Sequence, residues 1–397
     1  MWKKRIFDIE QQINLNPLME SYIFEHFALE CAYGVVRHRL SETNRPPWPP
    51  RSQSEYRLYS FAAAYSRVHQ RLSSAGKRRL SGMLRGALKE KYGIAPLAQE
   101  FEIAIYLMGK GFDVEFHDIE SGGGFDYLAV KDDIRIEVEC KFISEDIGRK
   151  IHRRQTYQLG CVLYPILSRM PDIRADGILL RITLPDRLYS RPEQHEAIAS
   201  AVKKAMTSQS QIYRDDTCHV RAEPFPLSEF NSTLGQTGKP TDAHVRQFLE
   251  IKFGIENKAT MALYRPSQSL FLVVLESEKS DQVVQSIVRQ LKESAERQFS
   301  GKNPACLTAH MVDLTQGELL KLADAEKERT DFHKAVDHLL KRRPQLHSIA
   351  FLTSGNVVGR HWVQGSNRVS ALQESGQVYF FRNKHHENYD DRRYLIF

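Results

Sequence analysis

The chain has 397 residues, of which 41% are hydrophobic and 26% are charged, a composition typical of a soluble protein with a sizeable core. No run reaches the roughly 18 apolar residues of a membrane span, and acids and glutamines follow the basic start where a signal peptide would be apolar. The five cysteines include no Cys-x-x-Cys pair, which argues against a disulfide framework and a structural zinc site. We therefore expect a soluble, cytoplasmic protein with no membrane partner.

The net charge of +7 is concentrated near one end of the chain. Residues 1–96 carry 16 Lys and Arg against 8 Asp and Glu, a balance of +8, so the remaining residues together carry −1. A one-sided positive field attracts a polyanion such as nucleic acid. A basic surface that only contacts solvent would have the same composition, so this alternative stays open.

Apolar residues at helical spacing predict a helix over Met19–Val36, and a proline-rich linker follows at Arg45–Pro50. Two basic helices with many aromatic residues are predicted next, Glu55–Leu72 and Lys77–Lys91. Such helices suit contact with a nucleic-acid backbone and stacking on bases, although aromatic residues at this spacing also suit a core. We predict a basic helical N-terminal region over 1–96 that contacts nucleic acid or docks a partner. Its candidate phosphate contacts are Lys77, Arg78 and Arg79.

From Leu97 the pattern changes to alternating helices and strands. A helix over Leu97–Lys110 ends at Gly111, a residue type that commonly follows a helix. We predict an α/β domain over 97–352, in which helices flank a mixed central β-sheet and a subdomain is inserted near 185–258, followed by a tail over 353–397. The further predicted strands are Phe112–His117, Phe125–Val130, Ile134–Phe142, Gly177–Thr183, Thr260–Tyr264, Leu270–Leu275, Cys306–Val312, Ile349–Leu352 and Val378–Phe381, with helices over Asp146–Arg169 and Asp281–Gln298.

The third strand of this domain has a distinctive alternation of charge. Successive side chains on a strand point to opposite faces, so the apolar residues of Ile134–Cys140 share one face and the charged residues share the other. Burying a glutamate and a lysine on a central strand is costly unless they have a task. The charged face comprises Arg135, Glu137, Glu139 and Lys141.

Asp126 lies on the preceding strand, after a run of three glycines. The segment Lys131–Asp133 suits a tight hairpin turn, which would bring Asp126 near Glu139. Two converging carboxylates suit Mg²⁺, which prefers hard oxygen ligands, and Lys141 beside them could orient or deprotonate an attacking water and stabilise negative charge on a phosphate. The structural alternative is that Asp126 caps a turn while Glu139 and Lys141 form an ion pair on an exposed face.

The succession of a helix, three strands, Asp and Glu-x-Lys resembles the PD-(D/E)XK superfamily of restriction-endonuclease-like nucleases. The resemblance covers about Leu97–Leu167, and Phe125 stands where the family name has a proline. It implies a restriction-endonuclease-like core and hydrolysis of phosphodiester bonds that depends on Mg²⁺ or Mn²⁺. It also implies that Asp126 and Glu139 are metal ligands and that Lys141 is the catalytic lysine.

The resemblance implies two further groups near the metal. One is an acidic residue on the preceding helix, for which Glu102 is preferred to Glu100. The other is a glutamine or basic residue on the helix after the lysine, where Gln158 and Gln155 are candidates. The candidate phosphate contacts near the start of that helix are Lys150, Arg153 and Arg154.

These observations predict a metal-dependent nuclease. DNA is favoured over RNA as the substrate because the superfamily mostly cuts DNA, and microbial genome defence is the role expected. The alternatives are an RNA-directed nuclease and a catalytically silent subunit of the same fold that binds nucleic acid or assembles with other proteins. A homodimer or a partner protein also stays open, because cutting both strands of a duplex usually needs two sites.

Overall fold

The computed structural model describes residues 1–15, 20–44, 48–90, 92–144, 146–169, 177–233, 242–255, 259–264, 270–312, 331–353 and 378–397. Its helices are α1 (Trp2–Leu15), α2 (Glu20–His26), α3 (Ala28–Thr43), α4 (Gln53–Arg71), α5 (Ser74–Ala87), α6 (Ala95–Gly109), α7 (His117–Ser121), α8 (Arg153–Leu167), α9 (Pro192–Thr207), α10 (Leu227–Thr233), α11 (Asp242–Phe253), α12 (Val283–Arg297) and α13 (Asp331–Arg342). Its strands are β1 (Asp113–Phe116), β2 (Tyr127–Lys131), β3 (Ile134–Ile143), β4 (Gly177–Leu184), β5 (Ile212–Arg214), β6 (His219–Phe225), β7 (Thr260–Tyr264), β8 (Leu270–Ser277), β9 (Ala305–Met311), β10 (Leu346–Thr353) and β11 (Val378–Arg382). In the part of the chain that is described, no helix combines the length and apolar character of a membrane span.

The described residues form two compact units. Unit 1 comprises Met1–Glu10, Ile23–Ile147 and Val283–Phe397, and unit 2 comprises Gln11–Tyr22 and Gly148–Gln282. Each unit has its own mixed β-sheet, so the predicted α/β class with mixed sheets and flanking helices is confirmed.

The sheet of unit 1 has six strands in the order β1-β2-β3-β9-β10-β11. β1, β2 and β3 are antiparallel neighbours, β3, β9 and β10 run parallel, and β11 returns antiparallel to β10. The predicted hairpin between β2 and β3 is confirmed, and its turn contains Asp132 in the left-handed region at φ 52°. β3 is therefore an interior strand of the sheet, paired with β2 on one side and with β9 on the other.

Helices cover both faces of this sheet. Val138 of β3 belongs to a hydrophobic cluster that includes residues of α3, α4, α5 and α6. Alternate residues such as Leu307 of β9 belong to a second cluster with α12 and α13. Phe61 of α4 is buried and stacks on Phe101 of α6, with ring centroids 6.2 Å apart. The aromatic spacing of the predicted helix thus serves the core at this position, because buried residues between Leu29 and Leu88 share a core with the strands.

The sheet of unit 2 has five strands in the order β5-β6-β4-β8-β7. The predicted domain over 97–352 includes β4, β7 and β8 together with β3 and has an insertion near 185–258, whereas Gly148–Gln282 belongs to a unit with its own sheet. A strand buried on both faces is an unbroken apolar run in any sheet, so its sequence does not identify the sheet that it joins. The Gln282 amide donates to the Gly148 carbonyl at 2.8 Å, so the two ends of this long segment meet.

The C-terminal segment is part of unit 1. The predicted strand Val378–Phe381 is confirmed as β11, which pairs with β10. Asn383 is buried, and its side-chain amide donates to the Leu346 carbonyl at 2.8 Å. The rest of the predicted tail, 354–377, lies outside the described residues, as do parts of the predicted linker and of the predicted insertion.

Candidate metal and catalytic site

Asp126 and Glu139 come together as the hairpin predicts. The register pairs Tyr127 with Val138, which places the preceding Asp126 beside the following Glu139. One oxygen of Asp126, Oδ2, accepts a hydrogen bond from the backbone amide of Cys140 at 2.6 Å. Asp126 is half-buried and Glu139 is buried, so these two carboxylates approach each other away from bulk water.

Lys141 is the single cation that contacts these carboxylates among the described ion pairs. Its Nζ contacts Oε1 of Glu139, two residues earlier on the same face of β3. The side chain of Glu139 is 3% exposed and that of Lys141 is 22% exposed. The alternative of an ion pair on an exposed sheet face is therefore wrong, since the glutamate is buried and the lysine is largely covered.

Helix α6 supplies a third carboxylate, and it is Glu100. The start of α6 is held by Glu30, whose carboxylate accepts from the Ile94 amide at 3.0 Å. Residues two apart on a helix point about 200° away from each other, so Glu100 and Glu102 face opposite directions. The pKa of Glu100 is raised by burial and by the charges of the other site carboxylates, whereas the charge that acts on Glu102 is that of Arg57. The structure thus brings the less favoured candidate to the site and directs the preferred one elsewhere.

Asp118 is a fourth carboxylate, which was not among the predicted site residues. It lies in the first turn of α7, directly after β1. One oxygen each from Glu100, Asp118 and Asp126 lie within 4.8 Å of one another. An aspartate at the start of a short helix is common for local reasons, because acids are favoured there, so nothing in the sequence pattern marked this residue.

The four carboxylates share one electrostatic environment. Burial is the largest cause that raises the pKa of each carboxylate, and repulsion from the other site carboxylates raises the pKa of Glu100, Asp126 and Glu139 further. Burial alone raises the pKa of Asp118, to about 6. Buried oxygens without a hydrogen-bond partner among the described residues are costly and call for a ligand or an ion. Three carboxylate oxygens of this cluster are buried without such a partner: Glu100 Oε1, Asp118 Oδ1 and Glu139 Oε2.

Helix α5 holds α7, and through it Asp118, in place. Arg79 of α5 donates to the carbonyl oxygens of Ile119, at 2.6 Å, and of Glu120. The Ser73 amide, just before α5, donates to the Glu120 carboxylate at 2.7 Å. Arg79, predicted as a phosphate contact, is therefore engaged inside unit 1.

Glu137, another residue of the predicted charged face, has a structural role. It is fully buried, and its carboxylate accepts from the Ser300 amide at 2.8 Å and from the Asn303 side chain at 3.0 Å. These bonds hold the loop before β9 against β3. The task that burial of Glu137 implied is thus the anchoring of a loop.

The residues predicted around the helix after the lysine lie in unit 2, whereas the four carboxylates and Lys141 lie in unit 1. Lys150 pairs with Asp186 at 3.3 Å, and Arg153 is buried beside the ring of Tyr157. Such a buried guanidinium is unsuited to phosphate contact, so that prediction for Arg153 is not supported. Arg154 is exposed, Lys77 is half-buried and Arg78 is exposed. Gln155 and Gln158 are half-buried on α8.

The next described helix of unit 1 after β3 is α12, because unit 2 intervenes in the chain. The sequence pattern could not reveal this, since α8 follows β3 directly along the chain.

Comparison of the chain with models of protein families, with curated proteins and with solved structures gives no match in any of the three. The functional conclusion therefore depends on the residues and geometry of the site. The resemblance to a nuclease superfamily depends on the order of elements and on Asp126, Glu139 and Lys141.

Proposed function

We propose that the chain is a divalent-metal-dependent nuclease with a restriction-endonuclease-like core, and that DNA is its preferred substrate. The observation that carries this proposal is the convergence of four carboxylates beside one lysine, with buried oxygens that lack partners among the described residues. A cluster of this kind is destabilising by itself, because like charges in a poorly solvated site repel. A bound cation would remove that penalty.

The donor set fits Mg²⁺ or Mn²⁺. Both ions prefer hard oxygen ligands, and the candidate donors are all carboxylates. They are Glu100, Asp118 and Asp126, which each have an oxygen within 4.8 Å of the other two, and Glu139, whose charge acts on Asp126. The nearest sulfur candidate, Cys140, contacts the buried Tyr127 hydroxyl at 3.1 Å. When bound, such an ion would supply Lewis acidity and lower the pKa of a coordinated water.

Lys141 provides the second chemical element of the proposed site. Its contact with Glu139 fixes the ammonium beside the carboxylates, and its partial exposure leaves it accessible to a substrate. An ammonium there can donate to a phosphate oxygen and stabilise the charge that develops during hydrolysis. It can also donate a hydrogen bond that orients the attacking water.

The succession of elements in unit 1 supports the proposed fold. Helix α6 precedes three antiparallel strands, Asp126 directly precedes the second strand, and Glu139 and Lys141 lie on the third. The preference for DNA comes from the resemblance alone. The basic balance of residues 1–96 supports nucleic acid in general.

The test is a cleavage assay with purified protein, Mg²⁺ or Mn²⁺, and four substrates: circular duplex DNA, linear duplex DNA, single-stranded DNA and RNA. The variants are Glu100→Gln, Asp126→Asn and Lys141→Met, with EDTA as the metal-free condition. Glu102→Gln is the matched control, because it makes the same change on the same helix outside the cluster. We expect metal-dependent cleavage that Glu100→Gln and Asp126→Asn abolish, that Lys141→Met slows strongly and that the control retains.

Each other outcome has a defined meaning. Cleavage of RNA alone would assign the site to an RNA-directed nuclease. Nucleic-acid binding without cleavage under any metal would favour the silent subunit. Cleavage that persists in Asp126→Asn and Lys141→Met would place the active site elsewhere and refute the proposal.

A further inference from the structure

One face of α5 is exposed and basic. Arg78, Gly82 and Arg85 follow one another at intervals of four and three residues, which places them on one side of the helix. Gly86 adjoins them, and Lys89 follows two residues after the helix ends. All five residues are exposed, and we call them the Arg78–Lys89 face.

The cations of this face have no internal partner in the described part of the chain. No carboxylate among the described residues forms an ion pair with Arg78, Arg85 or Lys89. Arg79 differs, because it is used to hold α7. The charge on this face is therefore unneutralised, and a polyanion would complement it.

The two glycines distinguish this face from an ordinary solvated surface. A Cβ added at Gly82 or Gly86 would meet nothing within 4 Å, so packing requires glycine at neither position. Neither residue has a positive φ. Glycine is a poor helix former compared with alanine, but it lets another backbone approach closely. Both glycines lie between or beside the cations, where close approach of a phosphate backbone would use them.

We propose that the Arg78–Lys89 face binds the sugar–phosphate backbone of the nucleic acid. Arg78 and Arg85 are separated by about 10 Å along the helix axis, at 1.5 Å per residue. That length corresponds to roughly three base steps along the axis of a duplex, at about 3.4 Å each. The inference rests on the proposed function for the identity of the polyanion. This face is a positioning surface, because α5 also contacts α7, the helix that carries Asp118.

The charge test measures binding in EDTA, so that cleavage does not enter the readout. Fluorescence anisotropy with duplex DNA, and in a second arm duplex RNA, is recorded across a series of KCl concentrations. The variant combines Arg78→Gln, Arg85→Gln and Lys89→Gln. We expect weaker binding and a slope of log K against log salt that is shallower by about 2.7, from three lost phosphate contacts at about 0.9 each.

The matched control removes three positive charges elsewhere in unit 1 and combines Lys302→Gln, Lys341→Gln and Arg342→Gln, all at exposed positions. It should keep the wild-type slope. An unchanged slope in the Arg78–Lys89 variant, or an equal decrease in both variants, would overturn the inference.

The glycine test separates binding from stability. The double variant Gly82→Ala, Gly86→Ala should raise the melting temperature, because alanine favours the helix, and should weaken nucleic-acid binding. Wild-type binding in this variant would overturn the role of close approach. The outcomes also separate the two proposals. A changed salt slope in the Arg78–Lys89 variant, with no cleavage by the wild type, would support this face as a binding surface and contradict the nuclease proposal. Cleavage by the wild type with an unchanged salt slope in the variant would support the nuclease proposal and contradict the role of this face.

Discussion

The four-carboxylate cluster makes a quantitative prediction about Asp118. Substitution of Asp118 by asparagine keeps the size of the side chain and removes its charge. The pKa of Asp118 is raised from 3.8 to about 6, first by burial. A raised carboxylate pKa means that the folded state holds its proton more tightly than the unfolded state, so ionisation at neutral pH opposes folding.

The magnitude follows from that difference. A rise of about two in pKa, at 1.36 kcal/mol each, corresponds to about 3 kcal/mol of destabilisation at pH 8. We take this as an upper value, because Asp118 is only half-buried. Asp118→Asn should therefore stabilise the metal-free protein by up to about 3 kcal/mol at pH 8. The advantage should decrease as the pH falls through about 6 and vanish below 3.8, where the wild-type carboxylate is protonated in both states.

The assay is urea denaturation of wild type and Asp118→Asn at pH 8 and pH 5, in EDTA and in excess Mg²⁺. Added Mg²⁺ should reverse the order of stability, because the wild type gains binding free energy that the variant largely loses. Glu102→Gln serves as the control and should respond little to Mg²⁺. The reasoning would be refuted if Asp118→Asn destabilised the metal-free protein at pH 8, since the carboxylate would then be favourably paired.

Three further predictions concern single side chains. Arg79→Gln should weaken Mn²⁺ binding about 10-fold, measured by calorimetry, because the substitution releases α7. The control is Arg78→Gln, which changes the exposed neighbouring residue and should leave Mn²⁺ binding unchanged. Equal effects of the two substitutions would contradict a positioning role for Arg79. Lys141→Met should slow cleavage by roughly 10²–10⁴-fold and retain Mn²⁺ binding; loss of binding would instead indicate a structural role. Burial lowers the pKa of His310 from 6.5 to about 3, so the folded state keeps this ring neutral while the unfolded state takes up a proton. The free energy of unfolding should therefore fall by up to about 5 kcal/mol as the pH decreases from about 6.5 towards 3. His310→Gln should reduce this pH dependence in urea titrations. An unchanged pH profile in the variant would show that His310 is not its source.

The sequence predicted the local parts of unit 1 well. Periodicity and turn chemistry placed α6, β2 and β3 close to their observed bounds. A two-strand register is set by its turn, so the approach of Asp126 to Glu139 followed from neighbouring residues alone.

The errors and omissions arose where long-range contacts decide the outcome. Helix α6 is buried on most of its sides, so its sequence does not show which of Glu100 and Glu102 points towards the strands. Asp118 reaches the site because β1 pairs with β2 and the Asp118 amide donates to the Asp126 carbonyl, and α5 holds α7 there through a contact across about 40 residues of chain. The separate sheet of unit 2 was also unpredictable from its uniformly apolar strands.

The parallel pairing of β3 with β9 has a consequence for synthesis. Glu139 lies opposite Leu307, about 170 residues later in the chain, because unit 2 is encoded between the two strands. At roughly 5–20 residues per second, β9 leaves the ribosome on the order of ten seconds or more after β3. During that interval the strand that carries Glu139 and Lys141 is an open edge, able to pair with the wrong chain. The meeting of Gly148 with Gln282 would shorten the search once unit 2 has folded, since it brings the two ends of the insertion together.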